Sequence, residues 1–444
     1  MANEVTGRAA ISRVQRVSGT KTRLSRVAAL AATLLLLQAC SGTPPTAEQS
    51  LVTGTQVTQR TELSLPFPEA VAELGAALVA NAQLGAPDTD GRYPLIVDPW
   101  VDRVSGNQVE ATRSIESQLG ALVSARYPQI KLLPFNTASL KQQPLILLGA
   151  VAPEDNGGSV SQVSSTVPQA SAYRVWGVIG DLRTGRIVSR ASVRAQAAGV
   201  STRPAAFFRD SPAWMPDQSI QSYYRSIDGE IGGTLDPTYL QSIQAAAFIN
   251  DGIRAYETGR YDEALTAYTQ ARQSPLGEQS RVYNGLYLAN QALGRTQQAA
   301  DALGHVIRLG LLSQRLALKF VFRPGSNLFW PDPAVSGAYP MWLREIAEQT
   351  AASNTCLELT GHTSATGSSD GNQRLSLRRA NYVRDRLVAL SPSLRQRIRT
   401  RGAGSTAVLV GTGTDDASDL LDRRVEFQPV ACPGVPAMSA TQSL

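Results

Sequence analysis

The chain has 444 residues, more than a single hydrophobic core usually holds, and its length sets a prior of about three domains. Apolar residues make up 43% and charged residues 18%, a globular balance that excludes general disorder. The formal net charge is +6, but residues 1–39 hold six basic side chains against one acid, so the remainder is close to neutral. That removes the support for a nucleic-acid partner, and none is expected.

Arg8, Arg13, Arg16, Lys21, Arg23 and Arg26 lead into Val27–Leu37, VAALAATLLLL. Eleven apolar residues are too few to cross a hydrocarbon core of about 30 Å as a helix. They suit the h-region of a secretory signal. Leu37-Gln38-Ala39-Cys40 then resembles the lipobox of bacterial lipoproteins, with an aliphatic residue three before the cysteine and a small one just before it. The resemblance implies a signal peptide at 1–39, diacylglycerol on the Cys40 sulfur, cleavage before Cys40 and acylation of the new amino group. Each buried methylene contributes about 0.8 kcal/mol, so several chains make a durable anchor. The alternative is an uncleaved signal anchor with an incidental cysteine. Ser41, where lipoproteins retained in the inner membrane carry Asp, implies the outer membrane and a periplasm-facing chain. Residues 40–60 lack periodicity and read as a lipidated tether, reaching at most roughly 65–70 Å.

The three cysteines are Cys40, Cys356 and Cys432. With Cys40 lipidated, the other two are left in an oxidising compartment and are expected to form a disulfide. Cys356 begins one predicted strand and Cys432 follows the last, so a bridge is natural if those strands are antiparallel neighbours. Two free thiols are the alternative.

Residues 61–200 are expected to form an α+β domain. A helix follows Pro66-Phe67-Pro68, with Val71, Leu74, Leu78 and Ala82 on one face. Tyr93–Val97 reads as a buried strand broken by Asp98-Pro99. Asn107 is placed to cap a helix running to about Tyr127, with Ile115, Leu119, Leu122 and Val123 inward. Ile130–Phe135 and Leu145–Val151 read as strands, and Asn156–Ala170 as a loop. Tyr173–Gly180 and Ile187–Ala195 flank the turn Asp181–Arg186 as a hairpin. This order resembles the periplasmic domain of CsgG-like, FlgO-like and LpoB-like lipoproteins, most clearly in LILLG at 145–149, YRVW at 173–176 and the DLRTGRIV hairpin. Such domains dock onto partner proteins or assemble into larger objects; an unrelated α+β domain is the alternative.

Residues 201–240 carry Pro204, Pro212, Pro216 and Pro237 and read as a connector with aromatic anchors at Phe207, Phe208, Trp214, Tyr223 and Tyr224. From 241 to 312 a helical period takes over. Gly252, Tyr256, Gly259, Tyr261, Ala264, Tyr268, Ala271 and Pro275 fall near the spacing of a tetratricopeptide repeat. A second copy follows at a shift of 35, with Tyr283, Leu286, Gly294, Ala299, Leu303 and Val306. Two repeats bury little alone, so they should pack on a neighbour. A groove for a partner peptide and a plain helical spacer are both open.

Residues 313–432 are the most informative. Leu316–Arg323 reads as a strand with Leu316, Leu318, Phe320 and Phe322 on one face. Helices are expected at Tyr339–Ala352 and about Gln373–Leu390, the latter with Ala380, Val383, Leu387 and Leu390 inward. Cys356–Gly361 and Arg424–Val430 read as strands. The run Gly361-His362-Thr363, followed by NQRLSLRRANYV at 372–383 and Asp422-Arg423-Arg424-Val425-Glu426, closely resembles the OmpA-like peptidoglycan-binding family. The resemblance implies an α/β sandwich with a pocket for the diaminopimelate side chain of the peptidoglycan stem peptide. Arg379 occupies the position of the carboxylate-binding Arg, Asn372 stands at the loop-to-helix junction, and Thr363 belongs to the same motif. The family's ammonium-binding Asp is replaced by Ser364. Asp370 is the nearest acid. Losing a charged partner costs about 1.5–3 kcal/mol. Arg423 and Arg424 read as fold or rim residues.

Gly367-Ser368-Ser369-Asp370-Gly371 matches G-x-S-x-G, but a hydrolase of that type needs acid and His after the Ser. Both histidines, His305 and His362, precede Ser369. Two histidines and committed cysteines leave no zinc set, and no nucleotide-binding motif is found. No cofactor and no catalysis are expected. The expectation is a multidomain α+β protein: an N-terminal α+β domain, a short helical repeat pair, an OmpA-like C-terminal domain and a tail at 433–444. It would bind the wall at one end, the outer membrane through its lipid at the other, and an envelope protein between. The alternative is a regulatory lipoprotein that activates a cell-wall synthase or a secretion or assembly apparatus.

Overall fold

The run Leu145–Val151 is apolar without alternation, and in the computed structural model both of its faces are covered. The structure describes residues 63–154, 170–213, 217–314, 316–318, 320–353, 355–408 and 422–432. The signal segment, Cys40, Ser41, the tether, Trp214, nearly all of the expected 156–170 loop and the tail at 433–444 lie outside them.

The N-terminal elements are α1 (Phe67–Ala80), β1 (Tyr93–Val97), β2 (Val101–Asp102), α2 (Glu110–Arg126), β3 (Ile130–Leu133), α3 (Thr137–Leu140), β4 (Leu145–Glu154), β5 (Ala172–Asp181) and β6 (Arg186–Gln196). The sheet order is β3-β1-β4-β5-β6, with β2 also beside β4. The pairings β1–β3, β1–β4 and β2–β4 are parallel, and β4–β5–β6 are antiparallel. Leu145, Leu147 and Val151 face a core with Leu74, Leu78, Ile115 and Leu119 of α1 and α2. Ile146, Leu148 and Ala150 face a second core on the other side. Strands buried on both faces read as continuous apolar runs, which accounts for the lack of alternation. Ala82 lies beyond the end of α1. Asn107 is not the cap of α2: that helix starts after Val109, whose amide donates to Thr112 Oγ1 at 3.0 Å.

The second core is closed by residues expected to be connector. Region 201–240 contains α4 (Ala206–Asp210), α5 (Gln218–Asp228) and the start of α6 (Pro237–Glu257). Asp217 and Asp236 cap α5 and α6, each accepting from main-chain N–H groups. Ile220, Tyr223, Ile227 and Tyr239 are buried against the sheet. Tyr223 Oη holds the main chain of β4, accepting from the Gly149 amide and donating to its carbonyl, both at 3.0 Å. Sequence reading missed this layer because prolines and a short helix mask its period.

Helix α6 then leaves the sheet and pairs with α7 (Tyr261–Gln273), followed by α8 (Ser280–Ala292) and α9 (Thr296–Leu312). Tyr268 on α7 is fully buried. A Cβ at Gly252 or Gly285 would come within 2.6 and 2.4 Å of its ring. These two glycines, one on each flanking helix, make the slot the ring fills.

The C-terminal elements are β7 (Leu316–Leu318), α10 (Pro333–Ser336), α11 (Tyr339–Ala352), β8 (Thr355–Gly361), α12 (Ser369–Leu390), a 3-10 turn (Pro392–Gln396), β9 (Ile398–Gly402) and β10 (Val425–Ala431). Their sheet runs β7-β10-β8-β9, with β8–β9 parallel and the other pairs antiparallel. Cys356 and Cys432 are joined by a disulfide that ties β8 to the end of β10. Leu390 departs from the expected inner stripe of α12 and is 52% exposed, whereas Ala380, Val383 and Leu387 are fully buried.

Helices α7–α9 and the C-terminal sheet share one core. Trp342 Nε1 on α11 donates to Tyr287 Oη on α8 at 2.8 Å. Phe320 packs edge-on against Tyr339 and Trp342 and beside Phe427. The two helix pairs therefore bury their surface against both neighbours.

Adding a methyl group where there is no room costs about 1–3 kcal/mol. Gly285→Ala should therefore lower stability by about 2 kcal/mol in chemical denaturation. Gly120→Ala, in the middle of α2 with open space around it, should raise stability by about 0.5–1 kcal/mol. Equal effects of the two changes would count against the Tyr268 slot.

Candidate functional site

The motif residues converge where α12 crosses the ends of β8 and β9. Gly361 and Gly402 are register partners on these strands. A Cβ on either would collide with the first turns of α12: Ser376 O lies 1.9 Å from the Gly361 position and Gln373 O 2.6 Å from that of Gly402. Two adjacent glycines thus let the helix backbone lie on the sheet. Ser376, fully buried, fixes the crossing. Its Oγ donates to Gln373 O and accepts from the Gly404 amide, both at 2.9 Å.

Helix α12 begins at Ser369, four residues before the expected start. Ser368 is its N-cap, accepting from the Gly371 amide at 3.2 Å. The G-x-S-x-G match is therefore a helix start. Asn372 is not at the loop-to-helix junction but inside the first turn, 7% exposed, where its Nδ2 donates to Thr366 O at 2.9 Å and draws the loop in. Asp370 is not in a loop. It sits exposed in the first turn of α12, where a carboxylate favours the helix dipole.

Thr363 and Ser364 are 2% and 4% exposed. The Thr363 amide donates to Gly404 O at 2.8 Å, but its Oγ1 is buried with no hydrogen-bond partner among the described residues. Ser364 Oγ lies 3.1 Å from Thr366 Oγ1.

Arg379 departs most from expectation. It is 1% exposed rather than open to a cleft. Nε donates to Ser326 O at 2.9 Å, Nη1 to His362 O at 2.9 Å and Nη2 to Arg323 O at 3.1 Å. Its Cζ lies 5.3 Å from the Phe322 ring centroid. The guanidinium thus ties the strap Arg323–Leu328, between β7 and α10, to the end of β8. A rigid fork of donors suits three convergent carbonyls. A buried charge without such partners would cost several kcal/mol. Sequence reading missed the strap because nothing in Arg323-Pro324-Gly325-Ser326 announces that its carbonyls are acceptors.

A second polar group lies beside it. Arg424 Nε donates to Glu426 Oε1 at 2.7 Å, and Arg424 Nη2 to Ala407 O at 3.1 Å. His362 Nε2 lies 3.5 Å from Glu426 Oε2. Burial would raise the Glu426 carboxyl, but the hydrogen bonds and charges of His362 and Arg424 outweigh it and hold it at about 2. Burial lowers the His362 imidazole below its ordinary value. Arg423 and Arg424 are 1% and 3% exposed, which places them in the fold.

Residues 335–419 match the model of the OmpA family. The matched segment runs from α10 through α12 and β9. Comparison of the sequence with curated proteins gave no match. Among solved structures, the periplasmic domain of Helicobacter pylori MotB, residues 90–256, is 18% identical, with 26% of this chain and 72% of that one covered and a TM-score of 0.21. The peptidoglycan-associated lipoprotein from Burkholderia pseudomallei is 22% identical, with 23% and 86% covered and a TM-score of 0.20. An outer membrane protein from Borrelia burgdorferi B31 is 21% identical, with 26% and 85% covered and a TM-score of 0.20.

Removing the Arg379 fork leaves three carbonyls to find other donors. Arg379→Ala should therefore lower stability by about 2–4 kcal/mol and speed proteolysis in the strap. Arg374→Ala, on the exposed face of the same helix, should change stability by less than about 0.5 kcal/mol. Matching losses in the two variants would remove the clamp.

Acid should weaken the fold through the neighbouring group. Glu426 has a folded value below its unfolded 4.5, so its contribution is present above 4.5 and is lost as pH falls toward about 2. His362, also depressed, adds a loss that starts as pH falls below 6.5. Glu426→Gln should cost about 2 kcal/mol near neutrality and flatten the dependence below pH 4.5. An unchanged pH profile of denaturation would contradict this.

Proposed function

We propose that the protein is a non-catalytic envelope protein that binds peptidoglycan through residues 313–432. In this reading it is held in the outer membrane by acyl chains on Cys40, with 1–39 removed as a signal peptide. The observation that carries the reading is the buried, unpartnered hydroxyl of Thr363, in the loop that Asn372 ties down beside Arg379. The OmpA family match over 335–419 supports it. A buried polar atom without a partner calls for an explanation, and a ligand donor or acceptor is one.

The proposed ligand is the diaminopimelate end of an uncrosslinked stem peptide. Its carboxylate would meet the Arg379 fork after the carbonyls of Arg323 and Ser326 release Nη2 and Nε. Binding would thus include withdrawal of the strap, and a guanidinium–carboxylate pair would replace two neutral acceptors. Thr363, Ser364 and Asn372 would line the ligand, with Asp370 at the mouth. The absence of Asp at 364 leaves the ammonium without its charged partner, so weak binding is expected. The N-terminal domain and the tetratricopeptide-like helices would dock an envelope protein, in the manner of CsgG-like or LpoB-like domains.

The test is cosedimentation of the whole mature chain with purified sacculi, since residues 313–432 share a core with the repeats. Wild type should pellet with sacculi, and Asn372→Ala should release it. Ser364→Asp should tighten binding roughly tenfold or more, because a charged hydrogen bond contributes about 1.5–3 kcal/mol. Pelleting that ignores both substitutions would sink this site. Recovery of one stoichiometric membrane partner, with no sacculus binding, would favour the regulatory lipoprotein instead.

A further inference from the structure

The loop Asp98-Pro99-Trp100 leaves the carboxyl end of β1 and is gripped by helices from both sides of the sheet. Glu116 on α2 accepts from the Trp100 amide at 2.7 Å. Tyr239 on α6 donates to the Asp98 carboxyl at 2.6 Å, and Tyr223 Oη on α5 lies 3.2 Å from Pro99 O. Asp98 is 5% exposed and lines a cavity of about 50 Å³ together with Gln108, Tyr239 and Arg281. That leaves room for a few water molecules and for no larger ligand.

Among the described residues neither carboxyl forms an ion pair. Two arginines stand close to the loop, and each is engaged elsewhere. Arg281 on α8 donates to Gly106 O at 2.8 Å, and Arg113 on α2 pairs with Glu257 of α6 at 2.7 Å. Beyond the loop, Asp102 of β2 accepts from Ser105 at 2.6 Å, and Arg103 pairs with Asp228 at 2.6 Å. Strand β4 brings no titratable group over Leu145–Pro153. Burial holds the phenols of Tyr223 and Tyr239 well above their ordinary value, so both stay protonated. A carboxyl taken out of water without an ion pair favours its neutral form. Burial pushes Asp98 up to about 7, against the opposing pulls of Tyr239 and Arg281. Burial likewise pushes Glu116 up to about 7, and the charge of Asp98 adds to it. Groups coupled in this way release their protons as a pair.

We propose that the proton held by Asp98 and Glu116 is a latch: while it is present, the seam between the N-terminal sheet and helices α5, α6 and α8 stays closed, and its loss loosens that seam. With the proton in place the loop carries at most one buried charge. Without it, two anions share the loop. They are screened only if water enters the cavity or if Arg281 leaves Gly106, and either change weakens the hold of the helices on the loop. Once the seam opens, the carboxyls return toward their ordinary 3.8 and 4.5. Closure is therefore complete below 3.8, declines as pH rises from there, and suffers no further loss above about 7. The direction is opposite to that of Glu426 and His362 in the C-terminal domain. The latch does not depend on the peptidoglycan reading.

The test is hydrogen exchange of the whole mature chain at about pH 5.5 and about pH 7.5, read by mass spectrometry and corrected for the intrinsic effect of pH. The opening constant of amides in α5 and α6 should rise about tenfold or more between the two, while that of α12 should not follow. Asp98→Asn keeps an acceptor for Tyr239 and cannot ionise. It should cut the rise to about threefold or less and leave α5 and α6 better protected than wild type at the higher pH. Glu116→Gln should shrink the rise as well, and it carries the test if Asp98→Asn does not fold. No rise in wild type, an equal rise in α12, or a full rise in a folded variant with either carboxyl neutralised would overturn the latch.

Discussion

A buried guanidinium holds the strap between β7 and α10 to the end of β8. Arg379 lies under the strap Arg323–Leu328 and donates to the carbonyls of Arg323, Ser326 and His362. The main chain offers these acceptors only because α12 rests on Gly361 and Gly402, which brings its third turn level with the end of β8. A side chain at either glycine would lift the helix and strand the charge. Backbone approach, helix placement and charge satisfaction are thus one constraint, and the loop holding Thr363, Ser364 and Asn372 inherits its shape from it.

The same arrangement explains how an arginine can be buried without leaving its charge uncompensated. Arginine remains charged under all ordinary conditions, so its burial must be matched by acceptors. The main-chain carbonyls of Ser326, His362 and Arg323 supply such acceptors. The neighbouring Arg424–Glu426–His362 group is held at the same end of the sheet, where β10 pairs with β8.

Much of the architecture is legible where local pattern and burial agree. The Asp181–Arg186 hairpin, the Tyr339–Ala352 helix and the β8 and β10 strands follow from period and turn chemistry. Other elements carry no such signal. Strand β9, Ile398–Gly402, has one branched apolar residue and two arginines, and it is a strand only because β8 offers a parallel edge. Helices α4 and α5 lie between prolines; α5 is defined by the sheet face it covers and α4 by the helical core that takes Phe207 and Phe208. Leu390 fits the helical stripe but lies past the point where α12 leaves the sheet, so it faces solvent.

By itself the sequence determined the mixed α/β class, the helical period after residue 240, and the run of motif residues from Gly361 to Val383. These depend on local spacing, which the chain carries wherever it folds. Only the tertiary structure decided that the sheet is covered on both sides, that the repeats share a core with the C-terminal sheet, and that Arg379 points into carbonyls rather than into a cleft. Those outcomes depend on groups far apart in the chain, such as Ser326 and Arg379, whose meeting no local pattern encodes.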